Sequence, residues 1–313
     1  MRLLVLGGTS FVGRAIVSEA AARGWSVTTF NRGRGAWSHP AASTLTGDRL
    51  RAADLAPLAQ PWDAVVDTWS GAPSAVRDSA RLLSKHAERY VYVSSRAVYA
   101  SGVHGADETC ALIAPEGDEY PQHKRGGEIA VEESFGDRAL LARAGLIFGP
   151  HEDSGRLPHW LRRVERGGEV LAPGPSSLPV RYVDVRDLAA WLLRAVSTGL
   201  AGPYNVVNPL GHTTFGSLLS SVVEVVGGSP VLSWVDPLSF PEIHRWTELP
   251  GWLPPSSPLV TTDASRAAAA GLVCRPVVET VADTWAWVRE SGVRFPGLGF
   301  APTKEAALLR SAA

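Results

Sequence analysis

The first 150 residues alternate between short apolar runs and stretches whose apolar positions recur at helical spacing. Leu3–Leu6, Trp25–Phe30, Ser43–Thr46, Ala64–Asp67, Tyr90–Ser94 and Ala139–Arg143 read as strands. Phe11–Ala22, the stretch near Ser74–His86 and Tyr120–Glu133 read as helices. Strands alternating with helices predict parallel βαβ units and hence an α/β fold built on a doubly wound, Rossmann-type sheet. Leu3–Leu6 and Tyr90–Val93 are nearly all apolar, as expected of strands covered on both faces. After Pro150 the pattern changes. Proline, glycine and tryptophan become dense, as in Ala172-Pro173-Gly174-Pro175 and Leu249-Pro250-Gly251-Trp252. Helical spacing persists near Leu157–Arg166, Asp187–Thr198, Thr214–Val226, Ser265–Ala270 and Val278–Glu290, and Ala301–Ala313 reads as a closing helix or frayed end. The expected organisation is a dinucleotide-binding domain over 1–150, with 178–206 returning to it, and a smaller substrate lobe over 151–313 with long functional loops.

The 313 residues are 45% hydrophobic and 19% charged, which is globular composition. Net charge is −1 and no block of five like charges occurs, so no nucleic-acid partner is expected. The two cysteines, Cys110 and Cys274, form no CxxC and no Cys/His cluster, which argues against a disulfide framework or a structural metal. The N-terminal apolar run is too short for a secretory signal, and no run of about 18 apolar residues would span a membrane. The expected location is the cytoplasm. Only three residues are lysine (Lys85, Lys124 and Lys304), so a motif that needs lysine has few chances to arise by accident.

Leu3-Leu4-Val5-Leu6-Gly7-Gly8-Thr9-Ser10-Phe11-Val12-Gly13 reads as strand, glycine turn and helix start. A helix N-terminus presents N–H groups and positive dipole to a pyrophosphate. Gly7 permits the tight turn, and Gly13 lets the helix pack closely on the sheet. Ser10 stands where the middle glycine of a Gly-x-x-Gly-x-x-Gly fingerprint would be. At the end of the second strand, where an acidic residue would read an NAD ribose, the chain has Asn31-Arg32-Gly33-Arg34. A guanidinium suits a 2′-phosphate, so NADP(H) is the expected cofactor, read by Arg32 and Arg34, with NAD(H) as the alternative. Asp48 is the candidate partner of the adenine amine.

The strand Tyr90–Ser94 ends in Ser94-Ser95-Arg96-Ala97-Val98-Tyr99, and Tyr120-Pro121-Gln122-His123-Lys124 follows 25 residues after Ser95. Tyr and Lys at i and i+4 share a helix face. An ammonium near a phenol favours the phenolate and brings it toward the range of a general acid/base.

With these pieces on the page, the sequence resembles the short-chain dehydrogenase/reductase superfamily, in its extended or atypical branch of NAD-dependent epimerases and dehydratases. The resemblance rests on Gly7–Gly13, Tyr92–Tyr99, Tyr120-x-x-x-Lys124, Arg143-Ala144-Gly145-Leu146-Ile147-Phe148-Gly149-Pro150 and Val183–Ala189, and runs from residue 1 to about 290. It implies that Ser95 orients the substrate oxygen, that Tyr120 is the general acid/base, and that Lys124 holds the nicotinamide ribose. It also implies that Gly145 and Ile147 lie along the nicotinamide and that Trp69 belongs to the cofactor contacts. The pattern departs from the family in Ser10, in Asp67-Thr68-Trp69-Ser70-Gly71, which lacks the usual upstream asparagine, and near Asp187. There the arginine that grips a diphosphate in sugar-nucleotide enzymes would fall at Val180, and Arg181 comes one residue late.

Candidate substrate contacts are Ser95, Arg96, His151, His159 and Trp160, with Arg162, Arg163, Trp234, His244 and Trp246 as further lining and Arg166 on the face of Arg163. The favoured reading is an NADP(H)-dependent oxidoreductase moving hydride to or from a carbonyl or alcohol of a small molecule. The alternatives are a sugar-nucleotide epimerase or dehydratase that retains NAD(P), and a non-catalytic nucleotide- or RNA-binding protein on the same scaffold. The resemblance implies a monomer or homodimer.

Overall fold

In the computed structural model the described residues, 1–35 and 37–312, form two compact units. In chain order the elements are β1 (Arg2–Leu6), α1 (Phe11–Ala22), β2 (Ser26–Asn31), β3 (Ala42–Thr46), β4 (Trp62–Asp67), α2 (Pro73–Leu83), β5 (Ala87–Ser95), α3 (Tyr120–Phe135) and β6 (Ala139–Ala144). There follow β7 (Leu146–Phe148), α4 (Arg156–Glu165), β8 (Glu169–Pro173), β9 (Tyr182–Asp184), α5 (Val185–Thr198) and β10 (Gly202–Val206). The chain closes with α6 (Phe215–Val226), β11 (Val231–Val235), α7 (Arg245–Glu248), α8 (Ser265–Ala269), α9 (Val277–Ser291) and α10 (Pro302–Ala312).

The first unit takes Met1–Gly145, Val185–Val207 and Thr262–Val273. Its sheet has seven strands in the order β10-β6-β5-β4-β1-β2-β3, all parallel. From β1 the chain winds outward through β2 and β3, then returns to β4 on the other side. Right-handed crossovers therefore place α1 and α2 on opposite faces. Accordingly α1 packs with α5, and α2 packs with α3. Leu3, Leu4, Val5, Val65 and Val66 are fully buried, as strands covered on both faces require. Each such side chain contributes about 1.5–3 kcal/mol of burial free energy. The strand order reverses between β1 and β4, and the carboxyl ends there form the crevice where doubly wound sheets take ligands.

The second unit takes Leu146–Asp184, Asn208–Thr261 and Cys274–Ala313. It holds two parallel pairs, β7 with β9 and β8 with β11. Its core gathers Phe148, Leu157, Trp160, Leu161, Phe215, Leu219, Trp252 and Trp285. No helix among the described residues is long and apolar enough to cross a membrane. Cys110 and Cys274 are unbridged thiols.

Candidate active site

The glycine turn lies where β1 feeds α1. Gly7 and Gly8 have φ of 121° and 95°, a region that side chains disfavour. A Cβ on Gly13 would lie 2.5 Å from the Gly8 nitrogen, so the first turn of α1 rests directly on the loop backbone. Ser10 occupies the N-cap in extended conformation, but its side chain caps nothing, and no acidic residue stands in the first turn. The N–H groups at this helix end are thus not satisfied by a capping side chain, and their partial positive charge suits a phosphate. Thr9 packs under Gly35, whose Cβ would come within 2.8 Å of the Thr9 Cβ. The loop after β2 therefore folds back over the turn, and Arg14 stacks on Trp37 at 4.5 Å.

That loop carries Arg32 and Arg34, both exposed. With Thr46, Gly47, Asp48, Arg51, Ala53, Asp54 and Pro57 they line a cleft of about 510 Å³. Before the cleft, the Asn31 Oδ1 accepts from the Gly33 N–H at 2.8 Å. The Asp48 Oδ1 accepts from the Leu50 N–H at 3.0 Å, and Asp54 Oδ2 accepts from the Asp48 N–H at 2.8 Å. Three guanidinium groups therefore face two carboxylates that already hold turn hydrogen bonds. Arg51 was not among the sequence candidates. It lies beyond β3 with no motif around it, and only folding brings it beside Arg32.

At the carboxyl ends of β4 and β5, Lys124 is buried at 3% exposure. Its Nζ donates to the carbonyls of Trp69 (2.6 Å) and Val93 (2.7 Å). An ammonium has three donors, and two are used here. The Nζ lies 5.9 Å from the ring centroid of Tyr120, which is half-exposed at the first turn of α3. Burial pushes the Lys124 ammonium down to about 8, with the Asp67 and Glu128 carboxylates opposing that fall and Arg49 adding to it. Ser95 ends β5 two residues beyond Val93. Its Oγ accepts from the Ala97 N–H at 3.1 Å, which leaves its hydroxyl proton to donate elsewhere. Arg96 is buried next to it. The platform is anchored by Arg143 on β6, which donates to both oxygens of Glu128 on α3 (2.9 and 3.0 Å) and to the Tyr99 hydroxyl at 3.1 Å.

Tyr120, Lys124 and the carboxyl end of β5 are thus brought together, and Trp69 supplies its carbonyl to the cluster. Gly145 closes β6 by donating to the Val206 carbonyl at 3.1 Å. Ile147, in β7, and His151, at φ 68°, belong to the second unit. One substrate candidate needs correction. Trp160 is 2% exposed, and its indole N–H donates to the Pro250 carbonyl at 2.8 Å, so it is core. His159 lies edge-on to Trp160 under Gly299, and burial, then the Arg166 and Arg163 charges, lowers it to about 4. Arg163 lines a cleft of the second unit with Arg166, Glu169 and Glu305, and there its Nε donates to both oxygens of buried Glu305, at 2.8 and 2.9 Å. Arg162 donates to Glu165 and to the Val288 carbonyl, whereas Trp234, His244 and Trp246 are exposed. Arg181 is buried immediately before β9.

A parallel sheet with a glycine turn at its switch point, and a Tyr–Lys helix beside it, defines an enzyme of the short-chain dehydrogenase/reductase type. The chain belongs to the NAD dependent epimerase/dehydratase family, whose pattern it matches over residues 3–208. Among curated proteins it is similar to the Bos taurus epimerase family protein SDR39U1, with 28% identity over 247 residues, covering 68% of this chain and 76% of that protein. It is also similar to a Mycolicibacterium neoaurum 3-beta-hydroxysteroid dehydrogenase, with 27% identity over 164 residues and 45% of each chain. Among solved structures, the Bordetella bronchiseptica enzyme WbmH in complex with NAD+ shares the fold at TM-score 0.68 and 22% identity, over 93% of this chain and 99% of that one. The Thermus thermophilus UDP-glucose 4-epimerase in complex with NAD does so at TM-score 0.67 and 20% identity, over 92% and 99%.

Proposed function

We propose that the protein is an NADP(H)-dependent oxidoreductase acting on a carbonyl or alcohol carbon of a small molecule, with the first unit binding the dinucleotide and the second the substrate. The observation that carries this reading is the Lys124 ammonium, buried beside Tyr120 with two of its donors on backbone carbonyls. The residues present fit a dinucleotide. The uncapped first turn of α1 suits its pyrophosphate, the third donor of Lys124 suits a ribose hydroxyl, and the arginines at the end of β2 suit a 2′-phosphate. Hydride transfer at the nicotinamide is the chemistry that the dinucleotide supplies when bound. Tyr120 gives a proton to the substrate oxygen or takes it away. The Ser95 hydroxyl donates to that oxygen and orients it. Lys124 places positive charge beside the phenol, so that the phenolate form becomes accessible.

Two measurements test the proposal together. In titrations of the purified protein with NADPH and NADH, NADPH binds more tightly. Arg32→Ala and Arg51→Ala each weaken NADPH about 10–100-fold, the loss of one charge-assisted contact, and leave NADH unchanged. On a panel of carbonyl compounds with NADPH, Tyr120→Phe lowers turnover about 10²–10⁴-fold. Equal binding of both dinucleotides, with the arginine variants neutral, overturns the cofactor reading. Turnover that survives Tyr120→Phe overturns the role of the phenol. Tightly retained NAD together with redox-neutral conversion of a sugar nucleotide overturns the oxidoreductase reading in favour of an epimerase.

A further inference from the structure

A second buried charge system lies beneath Lys124. Asp67 closes β4 with 0% exposure, and Arg49, from the turn after β3, reaches it with 6% exposure. The guanidinium is bidentate on the carboxylate, with Nη1 to Oδ1 at 2.5 Å and Nη2 to Oδ2 at 2.7 Å. Nη2 also donates to Ser79 Oγ at 2.7 Å and to the Ala75 carbonyl at 3.2 Å, which ties the pair to α2. Tyr90 donates its hydroxyl to Oδ2 at 2.6 Å. The remaining bond leads out of the core: the Trp69 N–H donates to Asp67 Oδ1 at 2.9 Å.

Trp69 is the residue whose carbonyl accepts both the Lys124 Nζ at 2.6 Å and the Tyr92 hydroxyl at 3.1 Å. Its indole N–H donates to the Ala72 carbonyl at 3.0 Å. Arg49 stacks 5.2 Å from the Trp69 ring. The buried pair therefore holds the N–H side of the same residue that holds Lys124 by its carbonyl. A buried ion pair seldom repays its desolvation in stability, and burying hydrophobic residues in its place is often neutral or favourable. Its retention under the Tyr–Lys pair calls for another role.

We infer that Asp67 and Arg49 are positioning residues for the proton site: through the backbone of Trp69 they hold the Lys124 ammonium in place, and the Asp67 carboxylate keeps it charged. The inference rests on the reading of Tyr120 and Lys124 given above. Five groups set the charge around Lys124. Asp67 on β4 and Glu128 on α3 favour the ammonium, Arg49 opposes it, and the rings of Tyr92 and Tyr120 lie 4.9 and 5.9 Å from Nζ. Asp67 is ionised, because the Arg49 charge and the donors around it outweigh the upward push of burial.

The test reads Lys124 directly. The chain has three lysines, so carbon-13 labelling at lysine Cε resolves each amine in an NMR pH titration of the full-length protein. In the parent Lys124 is expected to titrate near 8, below an ordinary lysine, because of its burial. Asp67→Asn keeps an acceptor for the Trp69 N–H but removes the charge, and the Lys124 titration falls by roughly one unit. The double variant Asp67→Asn, Arg49→Met removes both charges, and the titration falls by less. Loosened packing would instead carry Lys124 upward toward an exposed lysine in both variants, so the sign separates positioning from structure. An unchanged or raised titration overturns the inference. If Asp67→Asn alone does not fold, the double variant gives the same sign test. The NADPH affinity profile against pH moves with the lysine, toward acid. A downward shift with no carbonyl turnover from the parent on any substrate keeps this inference and removes the catalytic reading. Turnover with no shift does the reverse.

Discussion

Gly13 is a residue at which space, not conformation, excludes a side chain. A Cβ there meets the Gly8 nitrogen at 2.5 Å and its Cα at 2.8 Å, backbone against backbone, with nothing flexible to yield. Gly13→Ala is expected to push α1 off the turn, to cost about 1–3 kcal/mol in stability and to weaken dinucleotide binding more than about tenfold. Thermal melts and an NADPH titration of the variant read the two effects. The sequence already marked Gly13 by its spacing from Gly7. Asp67 shows the opposite case. In the sequence it stands out only as a departure from an expected asparagine-bearing turn, and its meaning depends on Arg49, 18 residues away. His159 likewise reads as a candidate substrate contact, and the fold sets it against Trp160 and Gly299.

At the scale of elements, the entry into α4 has its cap supplied from outside the helix. Its N-cap, Gly155, has no side chain, and Glu152 fills the role. Oε1 of Glu152 accepts from the Arg156 N–H at 2.7 Å and from Ser154 Oγ at 2.5 Å, and Oε2 accepts from the Leu157 N–H at 3.4 Å. The carboxyl group is fully buried, and burial pushes it up to about 7, against the pull of those donors and of Arg156. A carboxyl raised in the folded state contributes stability that is complete below its unfolded value of 4.5 and is lost as pH rises through 7. Glu152→Gln keeps an acceptor and cannot ionise. The difference in stability between parent and variant is therefore expected to shift by roughly 2–3 kcal/mol in the variant's favour between pH 5 and 8, several degrees in Tm. His159, lowered to about 4, loses stability as pH falls below 6.5, but that contribution is common to both proteins and cancels in the difference. Melts across that range check the sign.

At the scale of the whole molecule, the first unit carries the glycine turn, Lys124 and the Arg32 cleft, so dinucleotide binding should act on stability by mass action. NADPH at about 100 times its Kd is expected to stabilise the binding unit by roughly 2.7 kcal/mol, and NADH at the same concentration by less. Calorimetry with each dinucleotide, on the parent and on Arg51→Ala, measures this directly. The alternating half of the chain was legible because each βα repeat writes its own local period, and the strand and helix limits read from sequence fall within a few residues of those observed. The seventh strand, β10, was not, because Gly202-Pro203 reads as a break. Proline is tolerated there because β10 pairs only with β6 and lies at the sheet edge. The short strands of the second unit were hidden for a related reason: β8 finds its partner β11 some 60 residues on, and five residues alone carry too little pattern.

By itself, the sequence determined the class of fold, the glycine turn and the Tyr–Lys pair, because periodicity, turn chemistry and spacing along a helix are local properties. Tertiary structure alone decided that Arg51 joins Arg32 in one cleft, that Trp160 is buried with His159 half-buried beside it, and that Arg49 and Asp67 meet beneath Lys124. Charge pairing and desolvation depend on which distant segments share a low-dielectric interior, and no local pattern records that.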